Sequence, residues 1–379
     1  MAVWKYMNRF RCIGGDCEDT CCASWGVEVS EPIVQAIEAA IGPKQTLKMI
    51  SPYVELHRKK ERYGRIRMPP YQTCSMLSGG MCGLQMAHGA DVLPKTCVSY
   101  PRSHSSHGDY QVLGGFLSCP EVARQALLSP DALELLDEPI PDMRMNTDQI
   151  VDRDSAYYTL REHVSAAMAG YGRGRPIQER LWLLSRLAAA SVARFNRTTT
   201  NPEPICSLID SFGSPHYQAD LVEDLSAAPR QEFEDAFLAS LRLLAEDTGI
   251  YVKPRARVAQ SLAVVDAEGF ALGRARWPAL ELQLSDALDS YVRFNFLSRW
   301  YTDGPDLSNH VENILLKLAL IRLLVRTAPT GETPQEAFIQ AVYGVERMVE
   351  HDAWRFRCHG SVRRIKGSYF DLLSDWSSF

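Results

Sequence analysis

Residues 10–25 read FRCIGGDCEDTCCASW and hold four cysteines, Cys12, Cys17, Cys21 and Cys22. Four more follow at Cys74, Cys82, Cys97 and Cys119, and only Cys206 and Cys358 lie outside this span. A chain of 379 residues can bury a sufficient core without covalent staples. Crowding eight of ten thiols into the first 119 positions therefore asks for a chemical reason. Thiolates drawn from separate segments build a disulfide framework, a zinc site or an iron–sulfur cluster. The expected fold is mainly α: a cysteine-rich, loop-heavy metal-cluster region over residues 1–124, seated on a multi-helix body over residues 125–379.

Spacing bears on the choice of metal. Zinc knuckles pair cysteines a few residues apart. Cys12/Cys17 and Cys17/Cys21 come close to that, but the later four are separated by gaps of 7, 14 and 21 residues and form no knuckle. Such scatter suits an iron–sulfur cluster at least as well. All eight are candidate ligands, and one site with spare thiols or two four-thiol sites are both open. The adjacent Cys21 and Cys22 are expected to point apart. A radical-type triplet fails, because Ser24 stands where its third cysteine belongs. His88, His104 and His107 lie among the thiols, although a loop histidine is more often neither ligand nor base. Tyr100 and Arg102 are the candidate cofactor-binding neighbours, since an arginine fork suits a carboxylate. No residue stands out as a catalytic base, and Gly170–Gly174 follows no strand that would make it a phosphate loop.

Composition narrows the class. The net charge is −5 and 46% of residues are hydrophobic, which fits a globular chain without a general nucleic-acid surface. Through Cys119, 13 basic residues face 10 acidic ones; beyond it, 28 face 36. A basic setting suits a site that gathers thiolates. No apolar leader and no run of about 18 apolar residues is apparent. The expectation is a cytoplasmic protein with no membrane span, where clustered cysteines point to metal or redox chemistry.

Periodicity sketches the rest. Residues 1–30 read as loop with short extended pieces, and 71–120 as loops and short helices. A helix is expected from Ser30-Glu31-Pro32 to Gly42, with Ile33, Val34, Ile37 and Ile41 on one face. The basic run from Arg58 to Arg67 reads as a solvated helix face, and Ser78-Gly79-Gly80 as a tight turn. Ser118 and Glu121 resemble a capping box that would put Cys119 at a helix start. Helices are expected at 181–195, 231–247 and 278–300, with a connection at 196–220 and a short hairpin within 252–276. Val311, Ile314, Leu315, Leu318, Ile321 and Val325 mark a buried helix with Arg322 near its apolar face. Thr333 and Glu336 form a second capping box.

Three stretches, FRCIGGDCEDTCCASW, MCGLQMAHGADVLPKTCVSYPR and LSCPEVAR, together resemble the bacterial flagellin lysine N-methylases. They are similar also to a wider group of cysteine-rich, zinc- or iron-chelating proteins. The motifs cover residues 10–124. The resemblance implies transfer of methyl from S-adenosylmethionine to surface lysines of flagellin, with a [4Fe-4S] cluster. An iron with an open position would then hold the amino-acid end of the methyl donor. The alternative is a non-enzymatic iron–sulfur or zinc protein that docks a partner. The size of the helical part leans towards the enzyme.

Overall fold

The computed structural model describes residues 2–23, 26–52, 63–68, 73–107, 110–137, 207, 230–246, 252–268, 270–299 and 307–350. The expected helix at 181–195, the connection at 196–220, the Gly170–Gly174 loop, most of the basic run, Cys206 and Cys358 fall outside these residues. The chain divides into two compact units. One comprises Met1–Gln125, Glu134–Val151 and Thr248–Lys253; the other comprises Ala126–Leu133, Asp152–Asp247 and Pro254–Phe379.

The first unit carries more β-structure than a loop-heavy region. Strand β1 (Ala2–Trp4) lies parallel to β8 (Tyr110–Gly115) and antiparallel to β9 (Leu135–Leu136). β7 (Arg102–His107) completes this sheet in the order β7-β8-β1-β9. A second sheet joins β2 (Val27–Val29), β4 (Gly64–Ile66) and β3 (Ile50–Pro52). β5 (Leu77–Ser78) and β6 (Met81–Cys82) make a small hairpin. Seven of these strands run two or three residues, too short for alternation to show in the sequence, and the six-residue β7 and β8, RSHSSH and YQVLGG, do not alternate. Arg65, read as part of a helix face, lies within β4.

Short helices punctuate the sheets: α1 (Lys5–Arg9), α2 (Glu31–Ile41), α3 (Pro43–Met49), α4 (Gly83–His88), α5 (Lys95–Ser99) and α6 (Pro120–Leu127). α2 starts after Ser30 with proline in its first turn and stops at Gly42, as expected. Val34 and Ile37 of α2 join Val27, Val29, Met49, Ile50, Ile66, Leu84 and Leu93 in one small core. Cys74 is part of that core, and Cys22 and Cys82 pack against it.

The second unit is helical among its described residues: α7 (Arg230–Glu246), α8 (Val252–Glu268), α9 (Phe270–Phe294), a π-helical turn (Asn295–Arg299), α10 (Leu307–Arg326) and α11 (Pro334–Glu350). The first turn of α8, through Lys253, is counted with the first unit. Among the described residues the expected hairpin within 252–276 is not seen: α8 runs to Glu268 and α9 starts at Phe270. Val258, Leu262 and Val265 fall at helical spacing and are buried, so helix precedes the Asp266–Gly269 signal, which coincides with the boundary between α8 and α9.

The leucine-rich helix is the centre of this unit. Ile314, Leu315, Leu318, Ile321 and Val325 are all buried. Arg322 is also fully buried, with its guanidinium 4.4 Å from the centre of the Trp277 ring. Thr333 and Glu336 form the expected reciprocal cap: the Glu336 amide donates to the Thr333 hydroxyl at 3.2 Å, and the Thr333 amide donates to the Glu336 carboxylate at 2.9 Å. Those bonds hold the Glu336 carboxyl below its ordinary range.

Candidate metal centre

Local backbone geometry brings distant cysteines together. The Cys74 amide donates to the Cys22 carbonyl at 2.6 Å, and a β-bridge pairs Ala23 with Thr73 next to it. The chain turns after Cys74, where the Leu77 amide donates to the Cys74 carbonyl at 3.0 Å. The hairpin that follows pairs Leu77 with Cys82, so Cys82 returns towards Cys74. Cys97 sits in α5, a helix that packs on β2. Four segments thus bring Cys22, Cys74, Cys82 and Cys97 to the edge of one small core.

Two glycine pairs lock the opening cysteine loop against this hairpin. Gly14 and Gly80 hold φ of +58° and +78°, in the left-handed region that suits glycine. A Cβ on Gly80 would stand 2.6 Å from the Gly15 Cα, and one on Gly14 would stand 2.7 Å from the Met81 sulfur. At Gly80 the neighbour is backbone and only a bare glycine allows that approach, whereas the Met81 side chain facing Gly14 can yield.

The Cys97 and Cys74 thiols feel the charges of their cysteine neighbours. Burial and then the charges of Cys22, Cys74 and Cys82 push the Cys97 thiol up to about 12, although its side chain reaches solvent. Burial raises Cys74 too, with Cys22 and Cys82 adding to it. Cys22 is raised most strongly, first by a hydrogen bond with the Cys21 thiol and then by burial. Adjacent residues point apart only in extended chain. The bends at Cys21 and Cys22 turn both thiols to one side, which corrects the expectation that they diverge.

Cys12 and Cys119 both bear on Arg102. Their charges act on Arg102, the first residue of β7, against burial and the charge of Arg11, which lower its pKa. The Arg102 guanidinium sits 5.3 Å from the centre of the Phe10 ring. Cys119 occupies the cap of α6, its carbonyl accepting from the Ala123 amide at 2.9 Å. Ser118 is displaced from the expected capping role, and its hydroxyl lies 3.1 Å from that of Tyr100. The Tyr100 ring stacks on Phe116. Cys17 donates its thiol hydrogen to the Asp19 carbonyl at 3.4 Å. His88 is exposed at the end of α4, and His104 is buried in β7 with its Nδ1 unpartnered.

Charged residues that spacing could not single out fasten the loop between Cys17 and Cys21. Arg124 bridges Glu18 at 2.6 Å and Glu121 on its own helix. Lys253 donates to the Glu18 carbonyl and lies 3.9 Å from Asp19.

Among the described residues, no three or more of His, Cys, Asp and Glu are arranged to hold a single metal ion. A tetrahedral zinc site would need its sulfurs about 3.8 Å apart, given a Zn–S bond of about 2.3 Å.

Parts of the chain align with curated proteins. Over 146 residues it is 30% identical to the lysine-N-methylase of Salmonella typhimurium strain LT2, a match covering 38% of this chain and 36% of that protein. The chain resembles the lysine-N-methylases. The counterpart in Salmonella choleraesuis strain SC-B67 is 28% identical over 144 residues, again 38% of this chain and 36% of the methylase. The flagellar biosynthetic protein FliU of Salmonella muenchen is 29% identical over 134 residues, 34% of this chain and 78% of that protein. The matched stretch thus spans little more than a third of the two methylases. No protein-family model matches the chain, and no solved structure does either.

Proposed function

We propose that the chain is a protein-lysine N-methyltransferase that uses S-adenosylmethionine and acts on flagellin. In this reading the thiolates of Cys22, Cys74, Cys82 and Cys97 hold a [4Fe-4S] cluster. The observation that carries it is the gathering of these four thiols in a chain similar to proteins named lysine-N-methylase.

When bound, such a cluster supplies a one-electron redox centre. Four thiolates satisfy its protein ligands, so the amino-acid end of the methyl donor needs an anchor on the protein instead of an open iron. The chain itself must strip water and a proton from the lysine amine and align it with the sulfonium methyl. Burial of Cys74 in the core holds the cluster's seat rigid while that alignment is made.

The test is anaerobic purification, iron and sulfide analysis, and incubation with flagellin and methyl-labelled S-adenosylmethionine. Iron and sulfide in equal amounts, with label on flagellin lysines, are the expected result. Colourless protein with stoichiometric zinc would sink the cluster assignment. An intact cluster with no label would sink the transferase.

A second reading is a metal-binding protein that docks a flagellar partner without catalysis. The match to most of FliU favours it, because that name speaks of flagellar biosynthesis and of no reaction. Calorimetric titration with S-adenosylmethionine separates the two, since only the transferase must bind it.

A further inference from the structure

Buried polar side chains gather in the second unit where α9 gives way to its π-helical turn. Tyr291 lies near the end of α9, Asn295 opens the π turn, Lys317 sits on α10 and Glu346 on α11. All four are buried.

These four residues close a ring of hydrogen bonds. The Tyr291 hydroxyl donates to Glu346 Oε1 at 2.5 Å. The Lys317 ammonium donates to both Glu346 oxygens, at 3.1 and 3.0 Å, and to Asn295 Oδ1 at 3.2 Å. The Asn295 side-chain nitrogen donates back to the Tyr291 carbonyl at 2.8 Å, which completes the circuit. An ammonium has three hydrogens and cannot accept, so Lys317 spends every donor here. It also fixes the Asn295 amide with its oxygen towards the ammonium and its nitrogen towards Tyr291.

The ring ties both sides of the α-to-π junction to two other helices. π turns are rare and short, and sharp departures from α-helix have identifiable causes. The turn itself reads NFLSR and holds neither proline nor glycine, so its widening is imposed by what it meets. Phe294, Asn295 and Phe296 are consecutive and all buried, which exceeds the stripe that an α-helix turns to one neighbour. A buried ion pair returns in attraction about what it costs in lost hydration, so apolar residues such as Leu288, Leu318, Phe338 and Val342 supply the stability of this unit. What the ring adds is geometry.

We infer that the ring of Tyr291, Glu346, Lys317 and Asn295 is a register lock. It holds α9 in its π turn and so sets which side chains that segment presents to α10 and α11. The inference rests neither on the methylase reading nor on the thiols.

Hydrogen exchange on the full chain, read by peptide mass spectrometry, tests the lock. Asn295→Ala opens the ring at the junction and leaves the ion pair in place. Amides of residues 291–299 are expected to exchange about tenfold faster, the scale of one buried hydrogen bond to a charged group, while those of α10 and α11 stay unchanged. Tyr291→Phe removes one hydroxyl and keeps the aromatic ring, and should give the same local pattern at smaller size. It decides the matter should Asn295→Ala fail to fold. Lys317→Met with Glu346→Gln is expected to recover the denaturation midpoint without recovering the protection of 291–299. A network that only stabilises behaves differently. Exchange then rises by one common factor across α9, α10 and α11, and protection at 291–299 returns with the midpoint in the double variant. Either of those results, or unchanged exchange at 291–299 in both single variants, would overturn the lock.

Discussion

Gly15 and Gly80 meet backbone to backbone, 65 residues apart in the chain, and leave no room for a Cβ between them. That contact seats the first cysteine loop on the hairpin that ends at Cys82.

Gly80→Ala carries two penalties, a φ of +78° and a Cβ 2.6 Å from the Gly15 Cα. Gly79→Ala carries one, since its φ of +56° is equally unfavourable but its Cβ would meet nothing within 4 Å. Urea denaturation is expected to show a loss of about 1 kcal/mol for Gly79→Ala, from the left-handed backbone alone. Gly80→Ala should lose about 2–4 kcal/mol, because backbone must move as well. Equal losses would mean the glycine contact is not tight.

Iron content separates the thiols. Cys74→Ser and Cys97→Ser are expected to abolish iron in anaerobically purified protein, while Cys12→Ser and Cys119→Ser retain it. Retention of iron by Cys74→Ser would remove the four-thiol assignment.

The metal-free chain should weaken in alkali. An ordinary cysteine ionises near 9.0, whereas Cys97 in the folded chain is pushed up to about 12. Between those values the unfolded state has released a proton that the folded state keeps, so stability falls as pH rises. Below the lower value both states are protonated and the contribution is complete. Denaturation midpoints measured from pH about 8 to about 11 should drop, and less steeply in Cys97→Ser. A flat profile would remove the shift. Iron loading should run the other way, improving as pH rises and releasing protons.

The second unit buries an ion pair, Lys317 and Glu346, 3.0 Å apart with side chains 4% and 2% exposed. Tyr291 donates to the same carboxylate at 2.5 Å, and Asn295, at the start of the π-helical turn, accepts from Lys317. Lys317→Met leaves a buried carboxylate without its cation and is expected to cost about 3–5 kcal/mol. Lys317→Met with Glu346→Gln should recover much of that loss, since the double change strands no charge. A double-mutant cycle by thermal or chemical denaturation measures it, and strict additivity would show that the pair is not coupled.

Local signals were legible where one segment satisfies itself. The α2 boundaries, the Thr333–Glu336 cap and the buried face of α10 need only neighbouring residues to form. β1 was not legible, because three residues carry no period and its partners lie at Val112 and Leu113. The loop clamps of Arg124 and Lys253 were hidden for a similar reason: a surface charge names no partner until the chain folds.

The sequence alone determined that eight of the ten cysteines crowd the first third of this protein and that helix dominates the described remainder. Those conclusions follow from residue type and short-range period, which are properties of the chain itself. Tertiary structure decided how the thiols are shared out. By spacing, Cys22 belongs with Cys12, Cys17 and Cys21; in the fold its carbonyl accepts from the Cys74 amide, its thiol still meets that of Cys21, and its charge reaches Cys74 and Cys97, while the charges of Cys12 and Cys119 reach Arg102. The reason is the backbone bond from Cys74 to Cys22 and the glycine contact beside it. Both join segments dozens of residues apart, and no local pattern records which distant backbone a segment will meet.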